Sequence, residues 1–289
     1  MIPAQFDYIA AKSLDDALSL LAKHKDDAKL LAGGHSLIPA MKLRLMQPGV
    51  LIDISKIKDL SYIREEGGHV RIGALTTHYQ IESSDLLRRI CPLLPETATH
   101  LGDVQVRNRG TIGGSLAHAD PAADWPAAIL ALDAELVVAG GKGERVIKAE
   151  DFFVELLTTA LKPGEILREI RFAVPKGKVG QSYAKFRHPA SGFAVVGVAV
   201  SLTKDGSGKC QSAGVGVTGV SAKPYKAKGV ENALKGSALD GKSLSAAAAH
   251  AADGVEANAD LFASAEYRKH LAEAYTRRAL DAAVSRAGK

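Results

Sequence analysis

Between residues 13 and 60 the apolar positions follow two alternating rhythms. Leu14, Ala17, Leu18 and Leu21 recur three and four apart behind Ser13, which predicts a helix capped by that serine. Lys29 to Ala32 then form a short apolar run, read as a buried strand, and a pair of glycines follows. Beyond the glycines, Ser36 is placed to cap a second helix carrying Leu37, Met41 and Leu45, with Pro39 tolerated in its first turn, and "GVLIDI" reads as another strand. From Ser61 the period changes to two. "SYIREEGGHVRIGALT" is a pair of short strands about a Glu-Gly-Gly turn, and "SSDLLRRICPLLPETATHL" is helical with breaks at Pro92 and Pro95. "DWPAAILALDAELVVAGGKGERVI" predicts a helix and a second hairpin, and "EILREIRFAV" one more strand. After the turn-prone "PKGKVG", three antiparallel strands are expected, the last two joined around Asp205-Gly206, and then helices. The longest of these starts behind Ser264 and carries Leu271, Tyr275 and Leu280. The pattern divides the chain into three units, residues 1–60, 61–176 and 177–289.

Composition narrows the function classes. A chain of 289 residues, 46% hydrophobic, buries a sizeable core, and its longest apolar run, "FAVVGVAVSL", is about half of what a helix needs to cross a bilayer. The amino terminus lacks the pattern of a secretory signal, and two isolated cysteines, Cys91 and Cys210, support neither a disulfide framework nor an iron–sulfur cluster. A cytoplasmic protein is expected. The net charge of +5 is spread among interleaved acids and bases, which argues against nucleic acid and suits an anionic cofactor or an acidic partner. Nine histidines are scattered without H-E-x-x-H or any Cys/His cluster, so no protein metal site is expected. The G-x-S-x-G elbow of a hydrolase is missing as well.

The chemistry concentrates in two stretches some eighty residues apart, "LLAGGHSLIP" and "GTIGGSLAHADPAAD". Each sets Gly-Gly between an apolar residue and a small hydroxyl. Without Cβ atoms, consecutive N–H groups can converge on an anion, and a helix start behind the first pair adds a positive end, with His35 and Ser36 as side-chain donors. Neither stretch has the spacing of a Rossmann or P-loop fingerprint. A Gly-Gly pair by itself is more often a tight turn than a phosphate site.

Together with "FDY", "LLAGGHSLIPAMKLRL", "RIGALTTH", "RNRGTIGGSLAHADPAAD", "PGEILREIRF" and "YAKF", the two stretches resemble the FAD-binding, or medium, subunits of molybdenum hydroxylases. The nearest likeness is to those of the aerobic carbon monoxide dehydrogenases, and it covers essentially the full length. The resemblance implies an α+β chain: a two-subdomain FAD-binding fold of the vanillyl-alcohol-oxidase type, followed by a carboxy-terminal domain of antiparallel sheet and helices.

Carried over residue by residue, Ala32, Gly33, Gly34, His35, Ser36 and Leu37 match the first FAD segment, and Thr111, Gly113, Gly114 and Ser115 the second. Ser115 stands where many relatives have asparagine, which implies a shorter contact with one donor fewer. Asp124 falls on an acidic position that accepts from sugar hydroxyls; its other reading is a cap for the helix beginning at Trp125-Pro126. Leu167 matches a residue lining the flavin and also reads as strand core. Lys185 and Arg187 lie where the family places a cation near the isoalloxazine, Arg187 being preferred, and Phe193 where relatives carry a shielding aromatic.

The implied function is electron transfer. Dissociable FAD on this chain takes electrons from two [2Fe–2S] clusters on a small partner subunit and passes them to an external acceptor. A large subunit holds the molybdenum cofactor, and the heterotrimer pairs into a dimer. Two alternatives stand beside this, a free-standing FAD-dependent oxidase or dehydrogenase of the same fold and a non-catalytic scaffold whose glycine pairs are only turns. Replacing Gly33 or Gly114 by a β-branched residue is expected to abolish FAD retention and leave the fold largely intact.

Overall fold

A computed structural model describes residues 1–288. Three large sheets organise the chain, beside a small two-stranded pairing of Phe153–Glu155 with Thr158–Thr159. The first is parallel, with Val50–Asp53 hydrogen-bonded between Asp7–Ala10 and Ala28–Leu31. Its central strand is buried along its whole length, as befits a parallel strand covered on both faces. The helix Leu14–His24 forms where the spacing places it, with the Ser13 hydroxyl accepting from the Asp16 N–H at 3.1 Å.

The second sheet is antiparallel and five-stranded, ordered Ile63–Glu66, His69–Gly73, Ile166–Ala173, Glu135–Gly140, Gly143–Lys148. Both expected hairpins are present, and Ile166–Ala173 joins them at the centre. The prolines act as punctuation: the helix Asp85–Ile90 stops short of Pro92, and Leu93–Thr99 starts behind it with Pro95 in its first turn.

The third sheet is antiparallel and four-stranded: Lys178–Arg187, Ala194–Lys204, Cys210–Thr218 and the two-residue strand Tyr225–Lys226, which was not foreseen. The helix Ala265–Arg286, capped by Ser264 as expected, covers one face and buries Leu271, Ala279, Leu280 and Ala283. The other face meets the helix Trp125–Ala131 so closely that a Cβ on Gly214 or Gly216 would lie 2.1 or 2.0 Å from the carbonyl oxygens of Ala131 and Ala127. The second and third sheets are thereby fastened through one helix, and the core around Trp125 takes in Tyr183 and Ala199 from the third. Leu75 and Ile166 likewise enter the core of the first sheet. Among the described residues no helix is long and apolar enough to cross a membrane.

Candidate functional site

The strand Ala28–Leu31 runs into the first glycine pair. Gly34 has φ +79°, a left-handed backbone that glycine adopts without penalty. The helix that follows, Leu37–Lys42, is short, and Ser36 does not cap it: the Ser36 backbone is already helical, and its hydroxyl receives no N–H bond. What the loop offers lies in the main chain. Among the described residues, the N–H groups of Gly33, Gly34, His35, Ser36 and Leu37 donate to no protein acceptor. Such a run is tolerable only beside water or a ligand.

The second pair is built in the opposite way. Thr111 caps the helix Ile112–His118, its hydroxyl accepting from the Gly114 N–H at 3.1 Å. The N–H of Ile112 donates to Thr76 O at 3.1 Å, that of Gly113 to Ala74 O at 2.9 Å, and that of Ser115 to Thr111 O at 3.0 Å. Here the glycines permit close approach: a Cβ on Gly113 would stand 2.6 Å from Ala74 O, and one on Gly33 would stand 2.2 Å from Arg109 O and 2.8 Å from the Gly110 Cα. The expectation that both loops present open amides is therefore corrected for the second. So is the expectation that a β-branched residue at Gly33 spares the fold, since it would strike backbone.

The two loops share one cleft of about 1170 Å³. Every residue carried over from the resemblance lines it, from Ala32 to Leu37, Thr111, Gly113, Gly114, Ser115, Asp124, Leu167 and Lys185, with the exception of Arg187. Arg187 is exposed, its guanidinium donating to His100 O at 3.2 Å. Both cations donate to that same carbonyl, Lys185 at 3.1 Å, so they stand on one side of the strand, but only Lys185 borders the cleft. Of the two cations, Lys185 is the one that reaches the cleft.

Lys185 is held there by Asp124. Its ammonium lies 2.9 Å from the Asp124 carboxylate and donates to His100 O at 3.1 Å, while the Tyr183 hydroxyl donates to the same carboxylate. Asp124 is 3% exposed, and its backbone is already helical with no bond from its side chain to the helix start, so the capping role is not the one it plays. Burial lifts the Asp124 carboxyl and depresses the Lys185 ammonium; the attraction between them opposes both shifts. Burial first, then the neighbouring Asp124 charge, drives the Tyr183 phenol well above its ordinary value.

Leu167 belongs to the core around Trp125 and also lines the cleft. Phe193, 48% exposed beside Gly192, stands at the cleft with an apolar ring. Sequence reasoning missed Tyr183, His100 and the His78–Trp125 pair. The signal for Tyr183 was available: it lies two residues before Lys185 in "YAKF", on the same face of a strand.

Residues 4–176 match the family described as "FAD binding domain in molybdopterin dehydrogenase", and residues 181–283 match "CO dehydrogenase flavoprotein C-terminal domain". The chain belongs to this family of FAD-binding medium subunits. It is 42% identical to the carbon monoxide dehydrogenase medium chain of Afipia carboxidovorans over 99% of both chains. It is 37% identical to subunit alpha of the 6-hydroxypseudooxynicotine dehydrogenase complex of Paenarthrobacter nicotinovorans, over 99% of this chain and 97% of that one. A crystal structure of cyanide-inactivated Cu,Mo-CO dehydrogenase superimposes with TM-score 0.96 at 42% identity, covering 99% of this chain and 100% of the other. As a medium subunit, the chain is an FAD-binding component of an oxidoreductase.

Proposed function

We propose that this chain is the electron-transfer component of a cytoplasmic molybdenum hydroxylase, carrying dissociable FAD between a partner's iron–sulfur clusters and an external acceptor. The observation that carries this reading is the row of five unengaged N–H groups, Gly33 to Leu37, in a cleft of the volume a dinucleotide needs. That row suits the diphosphate. Ala32 packs beside the second loop, whose Thr111 and Ser115 hydroxyls and close-packed Gly113 and Gly114 form the adjoining wall. Asp124 has carboxylate lone pairs left for sugar hydroxyls, and Leu167 and Phe193 supply apolar surface for a flat ring. Bound FAD supplies two-electron redox chemistry that no side chain of the cleft provides. Lys185 contributes positive charge to the same wall, moderated by the Asp124 carboxylate 2.9 Å away.

Two features support the need for partners. The chain's cysteines are both buried and unpaired with one another, so [2Fe–2S] clusters belong on a small subunit. The residues that select the substrate belong on a large subunit with the molybdenum cofactor, which fits relatives whose names carry substrates as unlike as carbon monoxide and 6-hydroxypseudooxynicotine. A dimer of such heterotrimers is the assembly proposed, and 1–60, 61–176 and 177–289 the units within this chain.

The test is to co-express the chain with candidate partner subunits, purify the assembly and follow its flavin absorption. Substrate should bleach the flavin in the complete assembly only. Bleaching of the isolated chain would favour a free-standing oxidase or dehydrogenase, and an assembly without flavin would favour a scaffold.

A further inference from the structure

His78 sits between the two loops and has one ring nitrogen without a partner. It opens the helix His78–Glu82 behind a capping box formed by Thr77 and Gln80, and its own N–H donates to Gly110 O at 3.0 Å. The His78 backbone is therefore tied to the second loop. The residue is 4% exposed. The Trp125 indole N–H lies 3.0 Å from His78 Nδ1, and an indole nitrogen can only donate. Nδ1 must then present its lone pair, which leaves the ring's single proton on Nε2.

Nε2 makes no hydrogen bond within the protein, yet it is not sealed off. The unpartnered side-chain atoms shut away from solvent, among the described residues, are His24 Nε2, Arg71 Nε, Ser237 Oγ, Arg268 Nε and Thr276 Oγ1. His78 Nε2 is absent from that group, and the open space its ring borders is the cleft. A Cβ on Gly110 would stand 2.6 Å from it, which places the atom against the second loop. Burial above all, then the neighbouring His35 and Arg107, hold the imidazole uncharged and depress its pKa to about 4. Arg107 is itself paired with Glu82 at 2.7 Å.

We propose that His78 is an uncharged hydrogen-bond donor to the diphosphate of the bound dinucleotide, its Nε2 proton aimed into the cleft by the indole of Trp125. The second loop has spent its glycine amides internally, so its side of the anion needs a donor from elsewhere, and His78 is the buried group standing there. This rests on the reading of the cleft as an FAD site.

Two substitutions separate this role from mere packing. His78→Asn keeps an acceptor near the position of Nδ1 for Trp125 and removes the far donor; His78→Gln places an amide N–H near the position of Nε2. In the full chain, His78→Asn should weaken FAD binding roughly tenfold, the scale of one hydrogen bond to a charged acceptor, while His78→Gln stays within about threefold of the parent. Nitrogen NMR of the parent should show the Nε2–H tautomer, with an Nε2 resonance that moves on addition of ADP and stays in place with adenosine. Trp125→Phe should let both tautomers appear. An Nε2 resonance indifferent to FAD and ADP, or parental FAD affinity in His78→Asn, overturns the assignment and leaves the flavin reading standing. A parent chain that takes up no FAD overturns both.

Discussion

The two glycine pairs are nearly the same phrase in sequence and opposite devices in space. In "AGGHSL" the pair ends a parallel strand, one glycine turns left-handed, and the following amides stay free. In "IGGSLA" the pair lies inside the first turn of a helix, where Thr111, Ala74 and Thr76 have consumed the amides. The difference lies in what precedes each pair: a strand end leaves N–H groups unspoken for, whereas an N-cap threonine draws them inward. Gly-Gly alone thus does not define an anion site; the count of unengaged amides does.

The largest effect is expected where the second loop's chain continues to the cleft floor. Lys185→Met leaves Asp124 buried without its counter-charge and should destabilise the protein by about 3–5 kcal/mol, read as a shift in the urea midpoint. A shift under 1 kcal/mol would mean that the carboxyl is simply protonated there. Gly113→Val drives a side chain into Ala74 and should cost about 3 kcal/mol, with FAD lost as a consequence of unfolding. FAD loss at an unchanged melting temperature would return the second loop to the role of an anion cradle.

Acidification probes the ring between the loops. The pKa of His78 is about 4 in the folded chain and near 6.5 when unfolded, so the unfolded state takes up the proton first as pH falls. The contribution is fully present above pH 6.5 and fades toward pH 4. Between pH 7 and pH 5 the parent should lose about 2 kcal/mol more stability than His78→Asn. Equal losses would show a ring already open to water.

Smaller effects sharpen the contrast. Gly34→Ala forces an alanine into a left-handed backbone and should cost roughly 1 kcal/mol in stability, while FAD affinity falls because the free amides shift with it. Ser115→Asn should change FAD affinity by less than about fivefold, since only one side-chain contact is altered.

Local pattern made much of this readable. Ser13 and Ser264 announce their helices because caps act within three residues; Glu-Gly-Gly announces a hairpin because Gly67 and Gly68 take positive φ, and Asp205-Gly206 does so because the Asp205 carboxylate gathers the N–H groups of Ser207 and Lys209 while Gly208 takes the positive φ. The seat of Ile166–Ala173 at the centre of the second sheet was not readable, because pairing across some thirty or more residues leaves no local trace. The sequence could not separate Lys185 from Arg187 for a related reason. Alternation puts both on one face and both donate to His100 O, and that only Lys185 borders the cleft depends on packing from distant segments. Asp124 was recognised as important, but its partners come from a strand some sixty residues on.

Tyr183 also shows how a distant backbone comes to govern a ligand pocket. Its hydroxyl lies 2.3 Å from where Gly197 would carry a side chain, so the third sheet leaves a vacant notch for the phenol on its way to Asp124. Any mutation that fills that notch pushes the ring aside and releases the acid. An innocuous-looking methyl group in the carboxy-terminal half would then be felt as a defect of the amino-terminal one, and the two halves can drift in evolution only in step.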